Sequence, residues 1–328
     1  MARLRHLQAG ADQVQARRPW LAVPVATVKK FGEDRAGNLA ALIAYYGFFS
    51  LFPLLQVLVT GLGFVLAGHQ GLQQDIVDSA LADFPVVGDQ LRRSTGRLDA
   101  SGFALAAGIV SAIWAGTGVV KATQDAMNDI WDVPMRRRPN LFVTIWRSIG
   151  TLTVIAIGLL VTTLLTGAMG AIGTSFVPRS IGVVLSGVVN VALFLVAFRL
   201  LTVRDVRIAQ LLPGACIAGL AWVGLQLLGG YLVAHQVTNA SETYGAFAVV
   251  IGLLWWIYLQ AQVMLFAAEL NVVLANRLWP RSLTGDDRST DRRTLRQHAE
   301  VEERAPDETV QVEFHDESDG EPREPAPG

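Results

Sequence analysis

Five histidines are the first side chains to consider for metal or acid–base chemistry. They are His6, His69, His235, His298 and His315. Metal-dependent hydrolysis needs histidines and carboxylates clustered tightly enough to hold and activate a water molecule. These five are scattered along the chain with no ligand spacing, so the sequence predicts no metal site.

The other common catalytic motifs are absent as well. The chain has no GxxxxGK[ST] phosphate-binding loop and no Gly-x-Ser-x-Gly nucleophile elbow. Its single cysteine, Cys216, lies in an apolar run and allows neither a disulfide framework nor a cysteine metal site. We therefore expect a protein that is not an enzyme and carries no cofactor. A basic, aromatic surface for nucleic acid is also missing, so no nucleic-acid partner is expected.

Charged side chains at the ends of long apolar stretches are better candidates. Lys121 follows one such stretch and Glu269 closes another. Ionisable groups at membrane depth are costly and usually face a partner inside the bundle. One hypothesis is that the two form a pair that gates a polar path or binds a lipid headgroup. In the other, Lys121 pairs locally with Asp125 or snorkels to the lipid headgroups, and Glu269 accepts hydrogen bonds at the end of the bundle.

Uncharged polar residues extend this candidate path. Asn128 and Asn271 lie at the same ends as the charged pair, where interhelical hydrogen bonding is the alternative role. Gln56 and Tyr258 lie within apolar stretches and would line a cavity if they converged. The candidate substrate path or gate therefore comprises Lys121, Glu269, Asn128, Asn271, Gln56 and Tyr258.

Long apolar helices must position these residues. Hydrophobic residues make up 52% of the chain and charged residues 17%, below the roughly 25% of a soluble domain. About 20 apolar residues suffice for a helix to cross the hydrocarbon core. We predict an all-α, polytopic integral membrane bundle of six transmembrane helices, with Pro53 kinking the first. The spans are about 39–67, 101–127, 145–175, 180–202, 209–234 and 245–275.

The distribution of basic residues predicts the orientation. Of 27 lysines and arginines, 23 lie in segments that six alternating spans would place on one side. The positive-inside rule makes that side, with both termini, cytoplasmic. The expected location is the bacterial inner (plasma) membrane, and the expected partners are membrane lipids. Arg136, Arg137 and Arg138 either contact anionic headgroups or only fix the topology.

Three regions follow from this topology. Residues 1–37 form a basic cytoplasmic arm, in which 20–31 is either a short interfacial helix or flexible chain. Residues 38–277 form the membrane domain, including an outer loop whose residues 72–84 have the pattern of an amphipathic helix. Residues 278–328 form an acidic tail, predicted to be disordered because it cannot bury a core.

Five short phrases occur in an order and spacing that resemble a known family. They are AYYGFFSLFP (44–53), NDIWDVP (128–134), LPGA (212–215), YG (244–245) and AELN (268–271). Together they resemble the YihY/BrkB family of bacterial inner-membrane proteins, including its YhjD branch, over about residues 30–277. Where that family commonly shows Gly-Ala-Glu, this chain has Ala267-Ala268-Glu269.

The resemblance implies a six-helix inner-membrane protein with cytoplasmic termini. It also implies an association with serum resistance and, in the YhjD branch, with movement of lipid precursors. The family's former label as a tRNA-processing ribonuclease (ribonuclease BN) is disfavoured here by the scattered histidines.

Two functional hypotheses remain open. The first is a transporter or flippase that moves a lipid or amphiphilic envelope precursor without ATP chemistry of its own. The second is a membrane scaffold that recruits partners through its cytoplasmic loops and tail. A bundle sealed by packed small residues would favour the second, and the first would be favoured by a continuous groove that joins Gln56, Tyr258, Lys121 and Glu269. The substrate and the oligomeric state do not follow from the sequence.

Overall fold

The structure, a computed structural model, describes residues 19–65, 102–172, 176–202, 206–225, 246–282, 289–305 and 307–314. Within these ranges the chain is helical and has no strands. The helices are α1 (Pro19–Glu33), α2 (Ala36–Val65), α3 (Gly102–Ile130), α4 (Leu141–Ile172), α5 (Phe176–Leu201), α6 (Ile208–Leu225), α7 (Ala246–Asn276) and α8 (Ser289–Glu300). A short 3-10 turn, Met135–Arg137, lies between α3 and α4.

Helices α2 to α7 occupy the positions of the six predicted spans. The longest, α4, has 32 residues and so extends about 48 Å, beyond the roughly 30 Å hydrocarbon core. Within the described residues, α2, α3, α6 and α7 each contain a segment long and apolar enough to cross a membrane. The described apolar segments of α4 and α5 are shorter. The described part of the chain is thus all-helical, and the six-span topology stays a prediction.

Helix α7 lies at the centre of the described bundle. It packs against α1, α2 and α3, while α2 pairs with α3 and α4 pairs with α5. The start of α4 and the end of α5 lie together at one end of the bundle. There, Arg147 near the start of α4 donates to the carbonyl of Thr202 after α5, at 3.2 Å. We call this the charged end, since α1, α8 and the ion pairs described below lie there.

The buried core is concentrated toward the charged end. Large side chains that are completely or almost completely buried include Trp131, Phe198, Leu211 and Leu278. Farther along the helices many apolar side chains are exposed, and Trp114 on α3 is 82% exposed. Lipid tails solvate such side chains as well as a protein interior does, so burial is not required of them.

Close helix contacts depend on small residues. A Cβ added at Gly219 of α6 would lie 2.6 Å from Val191 Cγ2 and 2.9 Å from Val191 N on α5. Only glycine permits this approach, as expected where helices pack closely in membranes. Pro53 lies inside α2, which continues past it to Val65; the kink stays a prediction. The proposed amphipathic helix at 72–84 and the arm before Pro19 lie outside the described residues.

The structure differs from the disordered tail predicted for residues 278–328. The chain turns back after α7 and forms α8, in which Thr294 is buried. Farther on, the ring of Phe314 lies 5.2 Å from the guanidinium of Arg292 and 5.4 Å from that of Arg296. Disorder was predicted because the segment has little apolar area to bury. Helix α8 is instead held mainly by ion pairs and hydrogen bonds to the bundle, which apolar area does not predict.

Candidate functional site

Four charged side chains meet at the charged end and are almost completely removed from solvent. We call Lys30, Asp34, Asp132 and Glu269 the buried charge cluster. Lys30 Nζ donates to the Asp34 carboxylate and, at 3.0 Å, to the carbonyl of Ile130. It also lies 3.6 Å from Asp132 Oδ2 and 3.6 Å from Glu269 Oε2. The side chains of Lys30 and Glu269 are both 0% exposed.

Three helix ends and one helix interior position the cluster. Lys30 lies in the last turn of α1, Asp34 in the turn before α2, and Glu269 within α7. Asp132 follows α3 with a φ of 50°, a left-handed conformation that aspartate tolerates better than most residues. Val133 N donates to Asn128 O at 2.8 Å, closing the end of α3 as a Schellman motif. The NDIWDVP phrase is therefore a helix cap that presents a carboxylate.

Charge is unbalanced within the cluster. Burial lowers the pKa of Lys30, but the carboxylates of Glu269, Asp132 and Asp34 outweigh burial, so the pKa is raised and the amine stays charged. Burial raises the pKa of Asp34, although the Lys30 charge acts in the opposite direction. Three carboxyl groups thus surround one ammonium group. A buried net charge of this kind is costly unless further cations or protons balance it.

His298 of α8 lies over the outer side of the cluster. Its Nδ1 is 3.7 Å from Asp132 Oδ1 and 3.9 Å from Asp34 Oδ1. The Asp132 carboxylate raises the pKa of His298, against a smaller effect of burial in the opposite direction. The imidazole side chain is 56% exposed, so this side of the cluster is reached from solvent.

A second ion-pair network docks α8 on the bundle. The guanidinium of Arg281 donates to both carboxylate oxygens of Glu33 at 2.8 Å and to Asp291 Oδ1 at 2.6 Å. The same Asp291 oxygen accepts from Lys29 Nζ at 2.9 Å. Arg281 is 2% exposed, and charge-assisted hydrogen bonds of this type are stronger than those between neutral groups. The tail and α1 are therefore held together independently of His298.

Acidification should release α8. Burial raises the pKa of Asp291, but hydrogen bonds from Lys29, Ser282 N–H and Arg281 outweigh it, so the pKa lies below the ordinary value of 3.8. A depressed carboxyl pKa contributes stability that is present above the unfolded pKa and is lost as pH falls through the folded one. Below about pH 4 we expect faster amide hydrogen exchange over 289–300, whereas α7 stays protected. The Asp291→Asn variant should show the faster exchange already at neutral pH; equal protection in this variant would contradict the prediction.

An elongated apolar cavity occupies the bundle beyond the cluster. Its volume is about 630 Å³, and residues of α2 to α7 line it. On α3 the lining extends from Ile109 to Thr123, a rise of about 21 Å at 1.5 Å per residue. The walls are mainly aliphatic and aromatic. The polar groups among the described lining residues are Ser50, Thr123, Thr151, Asn190 and Gln260.

Comparison with known proteins identifies the family. A family profile described as "Virulence factor BrkB" matches residues 27–291, which is most of the chain. The chain belongs to the BrkB family. The YihY/BrkB prediction made from the five phrases is confirmed, and the matched range contains all four residues of the buried charge cluster.

Curated relatives of this BrkB-family chain are mostly named as membrane proteins. It is 27% identical to "Inner membrane protein YhjD" of Escherichia coli K12, covering 79% of this chain and 82% of the relative. It is 24% identical to "Putative ribonuclease-like protein YfkH" of Bacillus subtilis, covering 73% and 90%. A "UPF0761 membrane protein" of Pseudomonas aeruginosa is 29% identical, covering 77% of this chain and 62% of the relative. No solved structure matches the chain.

The predicted pair of Lys121 and Glu269 is not formed in this BrkB-family structure. Glu269 faces Lys30, and Lys121 is exposed, where its charge acts on the nearby Asp125. Whether Lys121 pairs with Asp125 or extends to the lipid headgroups stays a prediction. Helix α1 packs against α7, and Lys30 of α1 takes the position beside Glu269.

The uncharged members of the predicted path do not converge either. Asn271 Oδ1 accepts from Gly214 N of α6 at 2.7 Å, an interhelical hydrogen bond. Asn128 is buried at the end of α3, and Gln56 is exposed on α2. Tyr258 Oη accepts from Gln262 Nε2 at 2.9 Å on its own helix. None of the six path residues is among the described cavity-lining residues.

Two of the three arginines predicted to contact lipid have protein partners. Arg136 pairs with Glu303 of the tail at 2.7 Å, and Arg138 pairs with Asp129 of α3 at 2.6 Å. Arg137 is exposed, so headgroup contact stays a prediction for this residue. The arginine run therefore also joins the tail to the loop after α3.

Sequence reasoning missed Lys30, Asp34 and Asp132, although one signal was present. Ala22, Ala26 and Lys30 recur every four residues, and all three are buried on the face of α1 that packs on the bundle. A row of small residues that leads to a charged one is typical of a helix packed closely against a neighbour. An interfacial helix would instead carry large apolar residues on its buried face.

Proposed function

We propose that this chain binds an amphiphilic, lipid-like molecule within its membrane domain and moves it across the bacterial inner membrane. The observation that supports this proposal is the elongated apolar cavity. Its volume of about 630 Å³ lies within the roughly 300–1,000 Å³ typical of ligand sites. A bundle that served only as a rigid support would gain stability from filling this space.

The cavity has the chemistry of an acyl-chain site. Aliphatic and aromatic side chains form most of its walls, whereas Thr123 and Thr151 mark its end nearest the buried charge cluster. Each threonine hydroxyl donates to a carbonyl of its own helix and keeps acceptor capacity. Leu54 and Ile113 line the cavity and are also exposed. An apolar chain would therefore enter sideways from the bilayer.

The proposal includes an orientation of the bundle in the membrane. Following the positive-inside rule, we place the charged end in the cytoplasm and use six spans, α2 to α7, for the topology. The cavity then begins near the inner leaflet and extends for about two thirds of the hydrocarbon core. The chain carries no phosphate-binding loop, so transport down a gradient, or scrambling between leaflets, is the proposed mode.

Scaffolding has less support. A scaffold would present the tail to partners, whereas α8 is engaged with α1 through Arg281 and Asp291, and Glu303 is engaged with Arg136.

A cavity-filling variant tests the proposal. Ala112 lines the cavity on α3, so Ala112→Trp should occupy part of it. We expect the purified variant to retain no more than about one tenth of any specific lipid that copurifies with the wild type. Reconstituted in vesicles, it should flip a fluorescent phospholipid correspondingly more slowly. Lipid mass spectrometry and a dithionite quenching assay measure the two effects.

Ala107→Trp is the matched control. Ala107 lies on the same helix, is exposed, and is not among the described cavity-lining residues. It should behave as the wild type in both assays. The proposal is rejected if wild-type protein retains only bulk membrane lipid and flips no lipid, or if both tryptophan variants behave alike.

A further inference from the structure

We propose that Asp34, Asp132 and His298 form a binding site for a divalent transition-metal cation such as Zn²⁺ or Mn²⁺, which joins α8 to the bundle. The three ligand atoms lie within 4.8 Å of one another. This inference is independent of the lipid-transport proposal, because it concerns the outer side of the charged end and not the cavity.

The two oxygens of each aspartate carboxylate face different partners. Asp34 and Asp132 both direct Oδ2 toward Lys30 Nζ and Oδ1 toward His298 Nδ1. Lys30 therefore neutralises one side of the carboxylate pair. The other side presents two carboxylate oxygens and one imidazole nitrogen, a donor set that suits zinc or manganese.

The lack of a hydrogen bond to Asp132 gives a second, independent indication of a ligand. Both carboxylate oxygens of Asp132 are buried and accept no hydrogen bond within the described part of the chain. The Asp132 side chain is 4% exposed, and the 3.7 Å from His298 Nδ1 to Asp132 Oδ1 is too long for a hydrogen bond. A buried carboxylate that accepts no hydrogen bond is costly. Lys30 Nζ lies 3.6 Å from Oδ2, and a bound cation would supply a close partner for Oδ1.

Charge balance favours a divalent ion. The carboxylates of Asp34, Asp132 and Glu269 exceed the Lys30 ammonium by two negative charges when all are ionised. A divalent cation held with neutral His298 brings the cluster to neutrality. Protons alone are the competing way to balance this charge, and the experiment below separates the two.

The geometry needs only a small adjustment. Metal–ligand bonds of about 2.0–2.2 Å place neighbouring ligand atoms roughly 3.0–3.5 Å apart. The observed distances to His298 are 3.7 and 3.9 Å, and all three ligand atoms lie within 4.8 Å of one another. The His298 side chain is 56% exposed, so it can move inward and also leaves an entry path for the ion. The Arg281 contacts hold α8 in place beforehand, so the site is largely preformed.

The test is metal binding by the full chain, purified without a polyhistidine tag and stripped with chelator. Equilibrium dialysis with Zn²⁺ and with Mn²⁺, followed by elemental analysis, should give one ion per chain. Mg²⁺ and Ca²⁺ should compete weakly. His298→Gln and Asp132→Asn should weaken binding at least as much as the roughly 10–100-fold that loss of an outer partner costs. Glu300→Gln, an exposed carboxylate on α8, is the matched control and should bind as the wild type.

Hydrogen exchange over residues 289–300 gives a second readout. Metal should slow exchange there in the wild type and in Glu300→Gln, and have no effect in His298→Gln. The proposal is overturned if the wild type binds no stoichiometric ion, or if His298→Gln binds it equally well. If Asp132→Asn fails to fold, His298→Gln alone decides, because its side chain is largely exposed and its loss leaves the core intact.

Discussion

Replacing Lys30 with methionine is expected to lower the free energy of unfolding by about 3–5 kcal/mol, the usual cost of removing one partner from a buried ion pair. Lys30 is 0% exposed and is the cation that faces Asp34, Asp132 and Glu269 together. Its removal leaves three carboxyl groups without their counter-charge and the carbonyl of Ile130 without this donor. Methionine keeps most of the unbranched apolar stem of the side chain, so the main change is the loss of the ammonium group.

The measurement is unfolding in mixed detergent micelles, with Lys121→Met as the control. Lys121 is exposed, so its loss should change stability by no more than about 0.5 kcal/mol. The double variant Lys30→Met with Glu269→Gln should recover part of the loss, since it removes one of the uncompensated charges. Equal stability of the two lysine variants would contradict the cluster as described.

A methyl group at Gly214 should separate α6 from α7. The Cβ of Gly214→Ala would lie 2.2 Å from the backbone oxygen of Ala267 and 2.5 Å from Asn271 Nδ2. A backbone atom cannot rotate away, so the helices must move apart and the hydrogen bond from Gly214 N to Asn271 Oδ1 must lengthen. We expect a loss of about 2–4 kcal/mol from overpacking and the weakened buried hydrogen bond.

Gly150→Ala is the control with the opposite sign. Gly150 lies inside α4, is exposed, and an added Cβ there meets nothing within 4 Å. Replacing a helical glycine with alanine at such a position should stabilise by about 0.5–1 kcal/mol. The same unfolding assay compares both variants. A Gly214→Ala protein as stable as Gly150→Ala would show that α6 and α7 are not in the contact described.

Helix positions were predictable because each depends on a continuous run of sequence. The predicted span 101–127 corresponds to α3, Gly102–Ile130, and the predicted span 245–275 corresponds to α7, Ala246–Asn276. Apolar length and the absence of charge are local properties, and in a membrane they decide secondary structure almost alone. The tail was predicted less well, since the partners that order α8 lie at Lys29 and Glu33.

The charged site was only partly predictable. Glu269 was selected correctly as a buried charge in need of a partner, but the partner was taken to be Lys121. The structure supplies Lys30 instead, 239 positions away in sequence. Both lysines lie near the ends of apolar segments, and nothing in the sequence indicates which of them is the partner of Glu269. That choice depends on whether α1 packs into the bundle or lies on the membrane surface.

The sequence by itself determined the helical class, the membrane location and the family, because apolar runs, basic loops and short phrases are each read locally. Tertiary structure decided which ionisable groups meet. Asp34, Asp132 and Glu269 come from separate segments, and α1 inserts Lys30 among them. A buried charge is stabilised only by groups within a few ångströms, and the packing of distant helices sets those distances. The buried charge cluster, the docked α8 and the apolar cavity all arise at that level.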